Sequence, residues 1–264
     1  NFAPWVRKVW IVVDDETPDL SQVSDDILSK VEFAFHRDIF AGHDYALPTF
    51  NSLAIESMLW RIEGLSECFL YFNDDVFLSA PLEPTDVFEG NLPVLRGRWV
   101  NYSGLIEDAD AQKDPALFNH FMQANAAELC GFEADDLYSA AHVVHPLRRS
   151  IMEELFERFP EQFANNIKHR FRDISQFLPQ GLHNHACISS GAAVLNMSGD
   201  HLHIKSGQGN DRAPIETWKL LQDANKSDIK FLCVNDLPQL EALIPQARVW
   251  LGEAIGGFDA SPSR

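Results

Sequence analysis

Two aspartates and an asparagine interrupt an apolar run early in the chain. The run is FLYFNDDVFL, and its polar members are Asn73, Asp74 and Asp75. Two carboxylates about 4 Å apart repel by roughly 4 kcal/mol at an effective dielectric constant near 20, so an ionised pair in half-buried surroundings calls for a cation or a shared proton. Mg²⁺ suits such a site, because it combines one or two carboxylates with waters and phosphate oxygens. The alternative is a simple turn in which these side chains bond their own backbone, and spacing alone favours the turn.

A second strand-like run ends in the same way. The sequence FLCV, residues 231–234, is followed directly by Asn235 and Asp236. In open α/β sheets, ligands bind outside the carboxyl ends of the strands. The repetition therefore predicts one crevice that contains both residues 73–75 and Asn235.

A cluster of basic residues and histidines is the third candidate for chemistry. His142 lies in AHVVHP, and His169 and Arg172 lie in KHRFRD. Arginine suits bidentate phosphate contacts and histidine transfers protons near neutral pH, so the cluster could bind a phosphoryl group and act on it. The alternative is a surface network of ion pairs with nearby glutamates, such as Glu153. We prefer that alternative for Arg148, Arg149 and Arg158.

Glu56, His183 and His185 are less informative on their own. Glu56 lies at the edge of an apolar helical stripe, where a glutamate is usually solvated, and the sequence does not decide between a boundary residue and a ligand. His183 and His185 are two positions apart on a predicted helix and cannot share a face, which disfavours a joint metal site. His185 alone could still line the crevice.

Hydrophobic patterns predict an α/β fold around these residues. Apolar and β-branched runs predict strands at residues 9–13, 31–35, 69–72 and 229–234. Helical spacing of apolar residues, with Asn51 as a cap and Pro146 as a first residue, predicts helices at residues 51–64, 146–159, 181–194 and 215–224. Residues 206–210 are typical of a loop. We expect one domain, with a mixed-sheet core at about 1–100 and 225–255 and an inserted helical region at about 105–224.

Composition narrows the class of protein. The chain has 264 residues, of which 45% are hydrophobic, and this is enough for a sizeable core. Its 21 basic and 39 acidic residues give a formal net charge of −18, which argues against nucleic acid as a partner. No stretch is long and apolar enough to predict a transmembrane segment. The 4 cysteines lie far apart without a C-x-x-C pair, which favours reduced thiols and a cytoplasmic protein.

Several stretches resemble the conserved blocks of the Stealth family. They are LPTFNSLAIE, RIEGLSECFLYFNDDVFL, the stretch from His142 through HPLRRSIMEELFERFP to Arg172, and FLCVND. The opening NFAPWVRKVWIVVDD also resembles the start of the family's second block. That family comprises bacterial capsular-polysaccharide hexose-1-phosphate transferases and the lysosomal-enzyme N-acetylglucosamine-1-phosphotransferase of animals. The resemblance covers most of the chain outside residues 79–135, and it outweighs the turn interpretation of residues 73–75.

The resemblance implies a GT-A-like nucleotide-sugar transferase fold and the transfer of a sugar phosphate. A glycan hydroxyl attacks the phosphorus of a UDP-sugar and UMP leaves, which is chemistry that depends on positioning and charge neutralisation. The expected partners are a UDP-sugar donor and a glycan acceptor in capsular or exopolysaccharide synthesis, and the expected cofactor is Mg²⁺ or Mn²⁺. Homo-oligomers and peripheral association with the inner face of the membrane stay open.

The resemblance also implies roles for individual residues. Asp75 aligns with an essential carboxylate, for which base and metal ligand are both open. His142 and Arg172 match the family's functional histidine and arginine, and we expect them to transfer a proton and to clamp the transferred phosphate. The expected metal ligands are Glu56, Asp74, Asp75 and Asn235. The expected substrate contacts are Asn51, Asn73, His169, His185 and Asn235.

One block of the family is missing from this sequence. The family's first block, a strand that ends in tryptophan-valine-aspartate-glycine and helps to hold the nucleotide, has no counterpart here. We expect an N-terminally truncated piece of a longer protein rather than a degenerate copy, because a non-catalytic copy has no need to retain costly polar residues. The alternatives are an ordinary glycosyltransferase that releases UDP and a non-catalytic module that binds nucleotide sugars.

Overall fold

The structure is a computed structural model that describes residues 2–205, 214–223 and 228–257. The loop predicted at residues 206–210 and the last residue of the helix predicted at 215–224 lie outside those ranges. In chain order, the strands are β1 (Val9–Val13), β2 (Val31–Phe35), β3 (Cys68–Tyr71), β4 (Val76–Leu78), β5 (Phe88–Glu89), β6 (Leu92–Val100), β7 (Leu137–Ala140), β8 (His145–Arg148), β9 (Val194–Asn196), β10 (His201–Ile204) and β11 (Phe231–Val234).

Helices connect most of these strands. They are α1 (Asp25–Leu28), α2 (His36–Ile39), α3 (Ser52–Glu56), α4 (Ser103–Ile106), α5 (Phe118–Leu129), α6 (Arg149–Arg158), α7 (Pro160–Lys168), α8 (Pro179–Ser189), α9 (Pro214–Asp223), α10 (Leu237–Leu243) and α11 (Ala247–Ala254). Short 3-10 turns occur at Asp44–Ala46, Leu59–Arg61, Pro84–Asp86, Ala111–Lys113 and Pro115–Leu117. None of the helices in the described ranges is both long enough and apolar enough to cross a bilayer.

The strands pair in small sheets. β1 and β2 are parallel, and β3 and β8 are antiparallel. β11 lies between β10, its parallel neighbour, and β4, its antiparallel neighbour. β6 pairs with β5 and β7 antiparallel and with β9 in parallel. The mixed α/β class is therefore confirmed, although the described strands are divided among these sheets instead of forming one open sheet.

The helix predicted at residues 51–64 is shorter than expected. Asn51 caps α3 as predicted, its Oδ1 accepting from the Leu53 N–H at 3.1 Å, but α3 ends at Glu56. From Met58 onward the N–H groups bond carbonyls three residues back, as in Met58 N–H to Ile55 O at 2.9 Å, which is the tighter 3-10 pattern. The chain continues into the turn at Leu59–Arg61.

The helix predicted at residues 146–159 begins later, at Arg149. Pro146 lies in β8, opposite Leu70 of β3. The first turn of α6 is capped from a distance, because the Ser150 N–H donates to Glu67 Oε2 at 3.1 Å. Glu67 is remote in sequence, so local pattern could not locate this helix start.

The region predicted to be helical, about residues 105–224, is mixed. It contains α5, α6, α7 and α8, and it also contains β7, β8, β9 and β10. Each of these strands has only three or four residues, LYSA, HPLR, VLN and HLHI, which is too short for a period of two to be recognised. These strands pair with β3, β6 and β11, so this part of the chain contributes to the sheets.

Two apolar clusters hold the elements that carry polar site residues. One packs β1 and β2 against α2 and α3, and Phe40 and Met58 are fully buried in it. The other packs β10 and β11 against α10 and α11, with Leu232 and Leu240 fully buried. Burial of large apolar side chains is the main stabilising contribution, about 1.5–3 kcal/mol each.

Candidate functional site

Asp75 and Asn235 meet at the end of β11. Asp75 precedes β4, and because β4 runs antiparallel to β11, the start of β4 lies beside the carboxyl end of β11. The Val234 N–H donates to the Asp75 carbonyl at 2.9 Å, and the side-chain amide of Asn235 donates to Asp75 Oδ2. The expected meeting of the two residues is present, but it arises from antiparallel pairing and not from two parallel strand ends.

His142 reaches the other oxygen of the same carboxylate. Its Nε2 lies 3.3 Å from Asp75 Oδ1 and 3.2 Å from Asn73 Nδ2. One ring nitrogen cannot donate to Asp75 and accept from Asn73 at the same time. Asp75 is therefore the partner of protonated Nε2, and Asn73 is the partner of deprotonated Nε2.

The surroundings of Asp75 keep its carboxyl ionised. Burial opposes ionisation, but the hydrogen bond and the charge of His142 outweigh burial, and the pKa of Asp75 lies below its ordinary value. A charge-assisted hydrogen bond to an ionised carboxylate favours the proton on Nε2 of His142. That arrangement leaves Nδ1 as the basic nitrogen of the ring.

His203 and Cys233 join the cluster, although the sequence analysis did not select them. The Nε2 atom of His203 is hydrogen-bonded to Asn235 Oδ1, and its ring centroid lies 5.3 Å from that of His142. Cys233 is fully buried, and burial followed by the charge of Asp75 raises the pKa of its thiol. Cys233 could have been found, because strand alternation places it on the same face as Asn235. His203 enters only through the pairing of β10 with β11.

Glu56 lies in a separate, buried part of the site. Tyr71 donates its hydroxyl to Glu56 Oε1 at 2.9 Å. Burial raises the pKa of Glu56, although the Tyr71 hydrogen bond and the charges of Arg172 and His142 act in the opposite direction. Arg172 and His142 therefore lie near Glu56, and a positive charge on either one favours the ionised carboxyl.

Arg172 is exposed at the rim of this arrangement. Its Nη2 donates to Ser52 Oγ at 3.1 Å, in the first turn of α3. Ser52 is four positions before Glu56, so α3 presents both of these residues toward the arginine. Arg172 thus offers an exposed positive charge beside a buried carboxyl and the first turn of α3.

Asn51 and His169, which were expected to contact substrate, form polar contacts within the protein. Asn51 is buried, and its Nδ2 donates to the His169 carbonyl at 3.0 Å and to Gln176 Oε1 at 2.9 Å. His169 lies within its own loop, with Nε2 3.4 Å from Ser175 Oγ and Nδ1 4.0 Å from Asp173 Oδ2. Both residues position the segment that carries Arg172, and these bonds argue against direct contact of Asn51 with a substrate.

His185 does not line the site. Its side chain is 0% exposed, its Nε2 accepts from the Tyr138 N–H at 3.1 Å, and its Nδ1 donates to the Gly181 carbonyl at 2.7 Å. The ring of Phe132 packs against it at 4.8 Å. Both ring nitrogens are therefore hydrogen-bonded within the protein, Nδ1 inside α8 and Nε2 to β7, which argues against the expected contact of His185 with substrate.

Arg148 and Arg149 follow the ion-pair interpretation, whereas Arg158 contacts an aromatic ring. Arg148 Nη2 lies 3.0 Å from Glu67 Oε1, and Arg149 Nη1 lies 3.3 Å from Glu153 Oε2. Arg158 stacks over the ring of Phe159, its guanidinium carbon 5.1 Å from the ring centroid. These contacts serve helix packing.

The donor atoms around Asp75 could hold a metal ion. In the described ranges, ligand atoms of Asp75, His142 and Cys233 all lie within 4.8 Å of one another. The oxygens of Asp75 and Asn235 fit Mg²⁺ or Mn²⁺, whereas the thiol of Cys233 does not fit Mg²⁺. Glu56, expected as a ligand, is outside this group and is bonded to Tyr71. Asp74 is exposed beside Asp75 and is also outside the group.

Two segments of the chain match conserved regions of known proteins. Residues 1–94 match conserved region 2 of the Stealth proteins, and residues 141–180 match their conserved region 3. The chain is 38% identical over 196 residues to an exopolysaccharide phosphotransferase of Streptomyces coelicolor, covering 73% of this chain and 20% of that protein. It is 30% identical over 267 residues to a capsular polysaccharide phosphotransferase of Streptococcus pneumoniae, covering 90% of this chain and 74% of that protein.

The matched shares differ widely between relatives. A receptor polysaccharide phosphotransferase of Streptococcus oralis is 30% identical over 266 residues, which is 89% of this chain and 74% of that protein. In contrast, the chain spans only 20–32% of the length of three exopolysaccharide phosphotransferases of Streptomyces coelicolor that it matches. Both matched regions contain site residues: Glu56 and Asp75 lie in the first, and His142 and Arg172 lie in the second.

Proposed function

This chain belongs to the Stealth family, and we propose that it transfers a hexose 1-phosphate from a UDP-sugar to a glycan hydroxyl. The product is a phosphodiester-linked glycan of a capsule or exopolysaccharide, and UMP is released. The donor we propose to test first is UDP-N-acetylglucosamine. The names of the relatives, which are polysaccharide phosphotransferases, support this class of reaction.

The observation that carries the proposal is the contact between His142 and Asp75. An ionised carboxylate 3.3 Å from a ring nitrogen orients an imidazole and stabilises the imidazolium that forms when the ring accepts a proton. In the reaction, the acceptor oxygen bonds to phosphorus, the phosphorus–oxygen bond to UMP breaks, and the hydroxyl proton moves to Nδ1 of His142. Asp75 then stabilises the charge through the proton on Nε2.

Charge on the transferred phosphate needs its own partners. Arg172 is exposed at the rim, next to Ser52 and Glu56, and we propose that its guanidinium binds the phosphate. Glu56, which accepts the hydroxyl of Tyr71, lies near this arginine. Removal of negative charge at this point favours attack by the acceptor oxygen.

Asp75 has two oxygens with different partners, so it can serve two roles. Oδ1 faces His142 and Oδ2 faces Asn235. We propose that Asp75 and Asn235, with Asp74 beside them, also hold Mg²⁺ or Mn²⁺. When bound, such an ion neutralises the diphosphate of the donor. His203 fixes the orientation of the Asn235 amide.

The remaining expectations on organisation are part of the proposal. We propose that these residues form one catalytic domain and that the protein works in the cytoplasm, at the inner face of the membrane where the acceptor glycan is assembled. Free thiols at Cys68, Cys130, Cys187 and Cys233 support a reducing compartment. The negative net charge supports the absence of a nucleic-acid partner.

A nucleotide assay on the full-length protein tests the proposal. The protein is incubated with UDP-N-acetylglucosamine, Mg²⁺ or Mn²⁺, and polysaccharide from the source cells, and the released nucleotide is identified by chromatography. UMP, together with a phosphodiester signal in the ³¹P spectrum of the product, is the expected result. UDP with a phosphorus-free product shows an ordinary glycosyltransferase, and donor binding without release of either nucleotide shows a non-catalytic module.

A further inference from the structure

Two exposed phenylalanine rings lie beside Arg172. Phe50 and Phe171 are each 67% exposed. Their rings stack, with centroids 5.9 Å apart and an angle of 17° between the planes. Aromatic rings that remain largely in water form an exposed apolar patch, and such patches mark binding surfaces when they adjoin polar groups.

Hydrogen bonds fix the stack in place. The Phe50 N–H donates to the Arg170 carbonyl at 3.1 Å, which joins two segments far apart in sequence. On one side of this bond, Arg170 Nε donates to the Pro48 carbonyl at 3.0 Å. On the other side, Arg172 Nη2 donates to Ser52 Oγ at 3.1 Å. The Arg170 guanidinium carbon lies 5.9 Å from the centroid of the Phe50 ring, and Arg172 directly follows Phe171, in a chain whose formal net charge is −18.

We propose that the Phe50–Phe171 stack, with Arg170 and Arg172 at its edges, is the platform on which the acceptor glycan lies. The proposal rests on the proposed function, because it places the acceptor next to Arg172, which we expect to hold the transferred phosphate. The C–H face of a sugar ring is apolar and packs on an aromatic ring. Guanidinium groups donate hydrogen bonds to sugar hydroxyls and to phosphodiesters already present in a growing chain.

The openness of the platform favours a polymer over the nucleotide of the donor. Sites for small molecules are concave and bury about 70–90% of the ligand surface. The two rings, each 67% exposed, offer an open face instead. Such a face suits a long chain that crosses it and gains contacts from several sugar units.

The test measures glycan binding apart from turnover, in the full-length protein. The probes are linear hexasaccharides of glucose, mannose, galactose and N-acetylglucosamine, and binding is followed by calorimetry. We expect the wild type to bind at least one probe, and we expect Phe50→Ala and Phe171→Ala each to weaken that binding by roughly fivefold or more. Phe171→Leu keeps apolar bulk without a ring and should show a similar loss.

Two substitutions serve as controls. Phe50→Tyr retains the ring and should bind as the wild type does. Met197→Ala removes an apolar side chain that is 73% exposed, in the turn after β9, and should also leave binding unchanged. Thermal unfolding of every variant checks that the fold is intact, which we expect because both phenylalanines are exposed.

The possible results separate the platform from the proposed function. The platform is wrong if no probe binds the wild type, if the ring variants bind normally, or if Phe50→Ala loses affinity for UMP, since the rings would then serve the donor. Ring-dependent glycan binding without UMP release keeps the platform and rejects the transferase. If the ring variants release UMP and their KM for the acceptor is unchanged, the transferase proposal stands and the platform is rejected.

Discussion

The side-chain amide of Asn235 donates a hydrogen bond to Asp75 and so joins two residues 160 positions apart in the chain. The other carboxylate oxygen of Asp75 lies 3.3 Å from Nε2 of His142. Because one carboxylate contacts both the end of β11 and the histidine, orientation of the histidine depends on the pairing of β4 with β11. Loss of the Asp75 charge should therefore disturb proton transfer and metal binding together.

Replacement of Asp75 by asparagine should remove most of the activity. Asp75→Asn keeps the size of the side chain but not the charge that stabilises the His142 imidazolium, and we expect kcat to fall by about 10²–10⁴-fold. Asp74→Asn is the comparison variant, because Asp74 carries the same charge beside the proposed metal site but is exposed and lies outside the group of Asp75, His142 and Cys233. We expect it to lose roughly tenfold or less. Equal losses in the two variants would contradict the distinct role of Asp75.

Replacement of Arg172 by alanine should reduce turnover without destabilising the fold. Arg172 is exposed and bonded to Ser52, so its loss removes little packing, whereas loss of a charged donor to the phosphate costs about 10²-fold in kcat. Steady-state UMP release and thermal unfolding are measured in parallel. Arg37→Ala removes an exposed arginine elsewhere and should change neither quantity. Normal turnover in Arg172→Ala would rule out the phosphate clamp.

The identity of the metal can be tested through Cys233. A chelator should abolish UMP release, and Mg²⁺ or Mn²⁺ should restore it, because oxygen ligands from Asp75 and Asn235 suit both ions. Cys233→Ala should respond to Mg²⁺ as the wild type does, since a thiol is a poor ligand for that ion. If restoration needs Zn²⁺ and disappears in Cys233→Ala, the group of Asp75, His142 and Cys233 is the metal site instead.

The parts of the fold that sequence could predict are those with strong local patterns. The runs at residues 9–13 and 31–35 have the boundaries of β1 and β2, since five consecutive strand-forming residues are enough to recognise. The start of α6 was misplaced because its cap, Glu67, is 83 positions away from Ser150. Helix and strand boundaries set by such distant partners have no local signal.

The candidate site was predicted unevenly for a related reason. Asp75, His142 and Asn235 were selected by residue type and resemblance, and the structure brings them into contact. His185 was selected on the same grounds, but folding uses both of its ring nitrogens. Residue type indicates what a side chain can do, whereas tertiary contacts determine whether its polar atoms remain available.

The buried carboxyl of Glu56 should make stability depend on pH. Its pKa is raised above the ordinary value of 4.5, chiefly by burial. The folded state therefore holds the Glu56 proton more tightly than the unfolded state does. The contribution of Glu56 to stability is complete below pH 4.5 and is lost as the pH rises through the pKa of the folded state. Glu56→Gln has no such loss, and its melting temperature relative to wild type should increase with pH above 4.5.

An exposed glutamate provides the control for that measurement. Glu63→Gln alters a carboxyl at the surface and should follow the wild type at every pH. Melting temperatures are compared by circular dichroism at about pH 4 and about pH 7.5. A constant difference between Glu56→Gln and wild type across this range would show that Glu56 is equally easy to ionise in both states.

The ion pair of Arg96 and Asp200 should contribute strongly to stability. Its contribution should decrease as the pH falls, whereas the contribution of Glu56 decreases as the pH rises. Arg96 Nε and Nη2 donate to Asp200 Oδ1 and Oδ2 at 2.8 and 2.7 Å, and the two side chains are 2% and 12% exposed. Arg96→Met leaves a carboxylate buried without its partner, which costs about 3–5 kcal/mol. The double variant Arg96→Met/Asp200→Leu should recover part of that loss, because no unpaired charge remains.

The pH dependence of this loss distinguishes a charge effect from a packing effect. Burial alone raises the pKa of Asp200, but the nearby His201 ring, whose Nδ1 lies 3.7 Å from Oδ1, and the hydrogen bonds and charge of Arg96 outweigh burial, and the pKa lies below the ordinary 3.8. Because folding lowers this pKa, the ionised Asp200 carboxylate stabilises the folded state fully above pH 3.8. Its contribution decreases as the pH falls toward the pKa of the folded state. The gap between wild type and Arg96→Met in urea unfolding should therefore be complete at about pH 7 and smaller at about pH 3. A gap of equal size at both pH values would mean that Arg96 stabilises through its packing on Phe231, whose ring centroid is 4.3 Å from the guanidinium carbon.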